Sequence, residues 1–331
     1  MPDFVVSIII PAYNSAKTIA QTIKAVLKQS YPGKKEIIVV DDGSKDNTAQ
    51  IVREFDQVRY IYQDNSGPAT ARNHGAKESK GEFLFFTDSD CVPEETWVEK
   101  IIPHFQDKTI AVVAGSYGIA NREDLLAACI HDEIVYRHLR RMPEFPKSFG
   151  SYNFCVRKNV FMEVGGFNEG YRNASGEDND LSYRVRQAGY RIYFAKNALV
   201  MHYHTSSLRK YLFEQYRHGV WRVKMYADHP RMTVGDDYTY WKDIVEIPLV
   251  YGAFVLALFF FLPISWPPIS LKILVLVLCG IELFSGFWIM RRAKEGLYFS
   301  GVMLLRAVAR ALGFASGLAL FPAKKLCKKN K

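Results

Sequence analysis

Hydrophobic residues over the first hundred positions fall in short unbroken runs, and these runs alternate with stretches of helical period. Phe4–Ile10, Glu36–Val40 and Phe83–Thr87 read as strands buried on both faces, with Tyr60–Tyr62 a shorter one. Between them, Ile19, Ile23, Val26 and Leu27 recur at helical spacing behind a capping Ser15. Ile51, Val52 and Phe55 do the same behind Asp46, residues 68–77 form a third helix, and a fourth from Pro93 carries Trp97, Ile101 and Phe105. The alternation predicts an α/β fold built on a doubly wound, mostly parallel sheet. Beyond residue 110 the order changes, with strands at 110–114, 152–157 and 190–194 and helices near 123–139, 178–188 and 207–226. No linker-like stretch intervenes, so residues 1–240 are expected to form one domain in two halves.

From 241 the pattern changes again. Residues 247–271 contain no charge, and Glu282 alone interrupts 273–290. Eighteen helical residues reach about 27 Å, close to the thickness of a bilayer core. The expectation is a membrane anchor over 241–331, with spans near 247–265 and 272–290 joined by a tight turn at 265–270. A third apolar segment, 297–323, carries Arg306 and Arg310 four apart on one helical face. Arginines at mid-span are costly, which predicts an amphipathic helix on the membrane surface. That placement leaves Arg291, Arg292 and Lys294, and the five lysines of the 324–331 tail, on the cytoplasmic side.

Charge sharpens the division. The chain of 331 residues carries a formal +9, but 241–331 holds 12 Lys/Arg against 4 Asp/Glu and the first 240 residues hold 31 against 30. A nearly neutral body argues against nucleic acid as a partner, and a basic tail suits anionic lipid. The five cysteines, Cys91, Cys129, Cys155, Cys279 and Cys327, form no Cys-x-x-Cys pair, so neither a zinc site nor a disulfide framework is expected and a reducing compartment fits. The N-terminus lacks the pattern of a signal peptide.

In open α/β sheets, ligands bind at the carboxyl ends of the strands. Here those ends gather Pro11–Asn14, Asp41–Asp42 and Asp88–Asp90 along one edge. Two carboxylates flanking the small Ser89 can hold a hard divalent cation, which in turn clamps a diphosphate. Farther on, Glu177-Asp178 opens a helix, and His202 and His204 share one face of a strand-like stretch.

The order Pro11-Ala-Tyr-Asn14, Val39-Val-Asp-Asp-Gly-Ser44, Gly67-Pro-Ala-Thr-Ala-Arg-Asn73, Thr87-Asp-Ser-Asp90, Gly165-Gly-Phe-Asn-Glu169 and Gly176-Glu-Asp-Asn-Asp-Leu181 resembles glycosyltransferase family 2 over about residues 4–205. The resemblance implies a GT-A-type fold and inverting sugar transfer from a nucleotide-sugar donor. It places Pro11, Ala12, Tyr13, Asn14, Asp41, Asp42, Asp88 and Ser89 around the donor, and gives Arg72 either a phosphate or Asp88. It makes Asp90 a ligand of Mg²⁺ or Mn²⁺, with His204 completing the shell. It assigns Asp178 as general base and Glu177 as its neighbour. Gly165-Gly166 either lets the backbone approach the acceptor or simply makes a turn. Processive members carry Gln-x-x-Arg-Trp after the last strand; here Gln215-Tyr-Arg-His-Gly departs from it, which favours transfer of a single sugar. The expected setting is the cytoplasmic face of the cell membrane, with a lipid-linked or glycan acceptor. Transfer directly to polyprenyl phosphate and a non-catalytic, nucleotide-sugar-binding scaffold are the alternatives.

Overall fold

A computed structural model describes residues 5–172, 175–232, 237, 241–258, 267–290 and 292–321. They divide into two compact units: residues up to 122 together with 137–204, and residues 123–136 together with those from 205 onward. Helix 207–226 falls in the second unit, where it packs with the C-terminal helices.

The first unit is built on one eight-stranded sheet. Its strands are β1 (Val6–Ala12), β2 (Lys35–Asp42), β3 (Val58–Gln63), β4 (Phe83–Thr87), β5 (Cys91–Pro93), β6 (Ile110–Ile119), β7 (Asn153–Arg157) and β8 (Arg191–His202), in the order β3-β2-β1-β4-β7-β6-β8-β5. β1, β2, β3 and β4 are mutually parallel, whereas β7 runs against β4 and β6, and β5 runs against β8. The sheet is therefore mixed. Every residue of β1 and β4 is buried, as their unbroken apolar runs require. Helices α1 (Ile19–Leu27), α2 (Thr48–Arg53), α3 (Pro68–Glu78), α4 (Trp97–Ile101), α6 (Lys158–Glu163) and α7 (Glu177–Gln187) belong to this unit, and α5 (Leu125–Arg140) runs out of the second unit into it. α3 lies close on the sheet, since a Cβ on Gly75 would sit 2.5 Å from Ile9 Cγ2.

β8 is longer than its sequence pattern suggests. Its parallel register with β6 shifts between Gly115↔Ala195 and Ser116↔Leu199, so three residues loop out and the strand resumes. Asn153 fills the irregularity, its Nδ2 donating to Ser116 O and Ala198 O at 3.0 Å each, while its Oδ1 accepts from Trp97 Nε1 at 2.7 Å. The resumed strand carries the chain to His202, opposite Cys91.

The second unit is helical: the first part of α5, then α8 (Leu208–Asp228), α9 (Trp241–Leu258), α10 (Pro267–Ile289) and α11 (Ala293–Leu320). α8 and α11 approach closely along glycines. A Cβ on Gly219 would run into Arg310 O, one on Gly313 into Tyr216 O, and one on Gly317 into Val220 O. Gly313 and Gly317 are four apart, the spacing that lets apolar helices touch backbone to backbone. Two helices are long and apolar enough to cross a membrane, Ile269–Ile289 and Ala293–Leu320. A hairpin of apolar helices is thus present, formed by α10 and α11. The first span expected, 247–265, coincides in part with α9, which carries Lys242, Asp243 and Glu246; residues 259–265 lie outside those described. The arginines that argued for a surface helix at 297–323 point inward: Arg306 Nη1 meets Glu133 Oε2 at 2.6 Å, and Arg310 Nη1 meets Asp243 Oδ1 at 2.6 Å. Lys242 lies 2.6 Å from both Glu246 and Glu282. Pairing of this kind offsets part of the desolvation of each charge.

Replacing Gly313 with Leu forces α8 and α11 apart. Overpacking of this kind costs about 1–3 kcal/mol, so the melting temperature of the purified protein is expected to fall by about 5 °C. Gly280→Ala, where nothing lies within 4 Å of the added carbon, is expected to leave it unchanged.

Candidate active site

Three loops at the carboxyl ends of parallel strands are stitched into one rim. After β1, Asn14 adopts a left-handed φ of 51°, its amide N donating to Ser44 Oγ at 2.9 Å and its Oδ1 accepting from Lys45 N at 2.8 Å. Ser15 Oγ lies 2.7 Å from Ser89 Oγ, and Ser89 O accepts from Thr22 Oγ1 at 3.1 Å, which joins the β1 loop to the segment after β4. Pro11 and Ala12 are buried in β1, and Tyr13 stands 48% exposed at its end. An exposed aromatic ring on a rigid loop offers a stacking surface.

Asp41 and Asp42, both buried, shape the next two turns. Asp41 accepts from Ser44 N at 2.9 Å and from Tyr60 Oη at 2.8 Å. Burial, and then this carboxylate, push the Tyr60 phenol up to about 12. Asp42 accepts from Gln63 Nε2 and Ser66 N through one oxygen and from Gly67 N through the other, at 2.7–2.9 Å. These bonds fix the loop that starts α3. A carboxylate oxygen accepts more than one bond, so Asp41 keeps capacity for a ligand donor.

Arg72, on α3 and 3% exposed, is the hinge of the site. Its Nη2 meets Asp88 Oδ1 at 2.7 Å and its Nη1 meets Glu177 Oε1 at 3.0 Å. One cation thereby ties the end of β4 to the first turn of α7. Glu177 Oε2 accepts from Ser175 N at 2.8 Å, so both its oxygens are committed within the protein. Asp178 is half-buried, and its Oδ1 accepts from Asn179 N at 2.8 Å. Burial first, and the charge of Asp178 second, raise Glu177 to about 7 despite Arg72, and burial raises Asp178 as well. A carboxyl group of raised pKa is one marker of acid–base chemistry.

Asp90 is 43% exposed and faces His202, whose Nε2 lies 3.5 Å from Asp90 Oδ1. His204 stands behind, its Nδ1 3.0 Å from His202 Nδ1, and the backbone of His204 is clamped by both amide atoms of Asn121. His202 is therefore the imidazole beside Asp90, and His204 orients it. The sequence singled out His204, because alternation places both rings on one face without ranking their distance from Asp90.

Two positioning residues were given no role by the sequence reading. Asn73 accepts from Phe167 N and donates to Phe167 O, both at 2.8 Å, and donates to Glu169 at 2.9 Å. Arg184 donates to the carbonyls of Val164 and Gly166. They hold the 164–169 turn, in which Gly165 and Gly166 have φ of 82° and 67°, so the glycine pair makes a turn. A cleft of about 380 Å³ opens beside it, lined by Asn73, Phe167, Asn168 and Glu169 among others. Asn73 directly follows Arg72, and that adjacency was the available signal.

Residues 7–173 match the family model described as Glycosyl transferase family 2. Glycosyltransferase AglE of Haloferax volcanii is 32% identical over 203 residues, 60% of this chain and 66% of AglE. UDP-Glc:alpha-D-GlcNAc-diphosphoundecaprenol beta-1,3-glucosyltransferase WfgD of Escherichia coli is 36% identical over 143 residues, 42% of this chain and 56% of WfgD. The chain thus spans less than two thirds of the length of these curated relatives. Among solved structures, mannosyltransferase PcManGT from Pyrobaculum calidifontis, in complex with GDP-Man and Mn²⁺, aligns with a TM-score of 0.63 at 18% identity, over 93% of this chain and 86% of that one. The likeness is one of fold, and it agrees with a GT-A-type arrangement.

The raised pKa of Glu177 makes stability depend on pH. Between its ordinary value of 4.5 and about 7 the folded state binds more protons than the unfolded state, so this group's contribution fades as pH rises through that window. Thermal midpoints measured from pH 4.5 to 7.5 are expected to fall more steeply for the native protein than for Glu177→Gln, which carries no titrating carboxyl there.

Proposed function

The chain belongs to glycosyl transferase family 2, and from that premise we propose that it is an inverting glycosyltransferase moving one sugar from a nucleotide-sugar donor to a lipid-linked acceptor. The observation that carries the reading is the Asp88–Arg72–Glu177 bridge, which holds half-buried Asp178 in the unit that also carries the donor-side loops. In this reading Tyr13 stacks on the base, and Asp41 takes a hydrogen bond from the base or ribose. Asp88, oriented by Arg72, contacts the ribose. Asp178 removes the proton of the acceptor hydroxyl while the new glycosidic bond forms at the anomeric carbon and the bond to the diphosphate breaks. Glu177 holds Asp178 in place through the start of α7.

A divalent cation fits Asp90 and His202. Their donor atoms are close, half-exposed and turned to one spot, and an oxygen–nitrogen pair with open positions suits Mg²⁺ or Mn²⁺. When bound, such an ion neutralises charge on the departing nucleoside diphosphate. His202 keeps its Nε2 lone pair available if its Nδ1 proton is donated to His204, a tautomer that the 3.0 Å contact between the two rings supports.

A lipid-linked acceptor is supported by two things. α10 and α11 are long and apolar enough to cross a membrane, and the printed name of WfgD specifies a diphosphoundecaprenol acceptor. Confinement of enzyme and acceptor to one surface raises their effective concentration. Crossings by α10 and α11 would put the turn carrying Arg291, Arg292 and Lys294 on one face and the five lysines of the tail on the other, and the larger count makes the tail's face the cytoplasmic one under the positive-inside rule.

The test is a transfer assay on the full chain in detergent, with nucleotide-sugar donors and short-chain lipid-linked acceptors. Asp178→Asn is expected to lower turnover by about 10²–10⁴-fold while donor binding, read by thermal shift, is kept. Asp90→Asn is expected to lose the metal-dependent part of that shift. Full activity in both variants would overturn the reading and leave a nucleotide-sugar-binding scaffold.

A further inference from the structure

Asp178 is gripped from outside α7 as well as from within it. Asp178 and Ser182 lie four apart on this helix and so share one face. The segment that leads into β7 runs along that face. Ser182 Oγ lies 3.2 Å from Phe149 N, from which it accepts, and 3.5 Å from Phe149 O, to which it donates. One turn back, the backbone N–H of Ser151 donates to the Asp178 carboxylate. Four helical residues rise about 6 Å, and two residues of extended chain reach about 7 Å. A pair two apart in the loop can therefore meet a pair four apart on the helix. Phe149, Ser151 and Ser182 are all buried, so water competes little for either bond.

Gly150 sits between the two anchors and is itself buried. A Cβ there would lie 2.7 and 2.9 Å from Tyr152 Cε1 and Cδ1, and 3.5 Å from Asp178 Oδ2. Glycine is the residue that fits where the loop meets both the ring and the carboxylate. The ring has little freedom to give way. Tyr152 is buried and stacks flat on Tyr117, with centroids 3.6 Å apart and 8° between the planes. Tyr117 packs in turn on His202, centroid to centroid 5.3 Å, and His202 is the imidazole 3.5 Å from Asp90. Close-packed rings transmit a displacement rather than absorb it.

We propose that Gly150, Ser151 and Tyr152 are positioning residues that fix Asp178 relative to the His202 side of the site. The proposal rests on Asp178 being the base. Inversion places the base and the departing diphosphate on opposite faces of the anomeric carbon, so the distance between the two sides governs the rate. A misplacement of about 1 Å can cost about 10²-fold. The Ser151 amide sets the carboxylate, Gly150 lets that amide approach, and the stacked Tyr152 ring ties the loop to the wall that carries His202.

Hydrogen exchange on the full chain in detergent reads the anchor without any substrate. Exchange of the Ser151 amide is expected to quicken at least tenfold in Asp178→Ala, and unchanged exchange would overturn the anchor. The transfer assay, with UDP-glucose or GDP-mannose as donor, reads the consequence. Gly150→Ala is expected to lower kcat about 10²-fold while the donor KM stays within about twofold of native. Tyr152→Leu is expected to lower kcat at least tenfold, and Tyr152→Phe, which restores the ring, to recover it. Should Gly150→Ala fail to fold, Ser182→Ala takes its place, removing the second anchor without adding an atom, with at least a tenfold loss of kcat expected. Native kcat in these variants, or a donor KM that rises in step with the fall, would overturn the positioning role. Failure of the base reading looks different, because Asp178→Asn itself would then keep full turnover. An inactive Asp178→Asn beside native kcat in Gly150→Ala would sink this inference alone.

Discussion

The buried guanidinium of Arg72 is the constraint on which the candidate active site turns. A cation with almost no access to water must be neutralised nearby, and Arg72 meets two carboxylates from distant parts of the chain, Asp88 after β4 and Glu177 at the start of α7. Arginine suits the task because its planar fork reaches two acceptors in fixed directions. The same bridge sets the electrostatics. Glu177 is desolvated and beside Asp178, so its proton is held to about 7 even with Arg72 at its side, while Asp178 is the more exposed of the two. Position and proton affinity follow from one interaction.

A second constraint acts through the sheet. β8 reaches β5 because three residues loop out at 196–198 and the ladder with β6 resumes beyond them. Asn153 makes this tolerable by bonding the carbonyls of Ser116 and Ala198 that the irregularity would otherwise leave unpaired. Without the resumed strand, His202 would stand neither opposite Cys91 nor beside Asp90. The bulge is thus part of the site although it lies away from it, as bulges beside functional centres commonly are.

The helical unit follows a different logic. Small residues set where α8 and α11 touch: Gly219 on α8 lies against the backbone of Arg310 and Phe314, and Gly313 and Gly317 on α11 lie against the backbone of Tyr216 and Val220. Charged groups within the same helices are paired inside the unit, Arg306 with Glu133, Arg310 with Asp243 and Lys242 with Glu246 and Glu282. A charge in an apolar helix is expensive only when it has no partner.

Much of this was written in the chain itself. Unbroken apolar runs fixed β1, β2 and β4, because a strand covered on both faces admits no polar alternation, and these strands lie side by side with the carboxylates at their ends. The order of the motifs carried the family, and of the two readings the sequence allowed for Gly165-Gly166 the backbone takes the turn. What the sequence left open were relations between segments far apart in it. Local spacing cannot state that Arg72 spends its charge on both Asp88 and Glu177. It cannot state that His202 rather than His204 meets Asp90, because both rings share a face and the register of β8 with β5 decides which one reaches. It also cannot reveal that the arginines of α11 have acidic partners, Glu133 on α5 and Asp243 on α9. Composition and period determine which faces are apolar; the tertiary fold alone determines which polar groups meet, because each such meeting depends on two segments being brought together by everything between them.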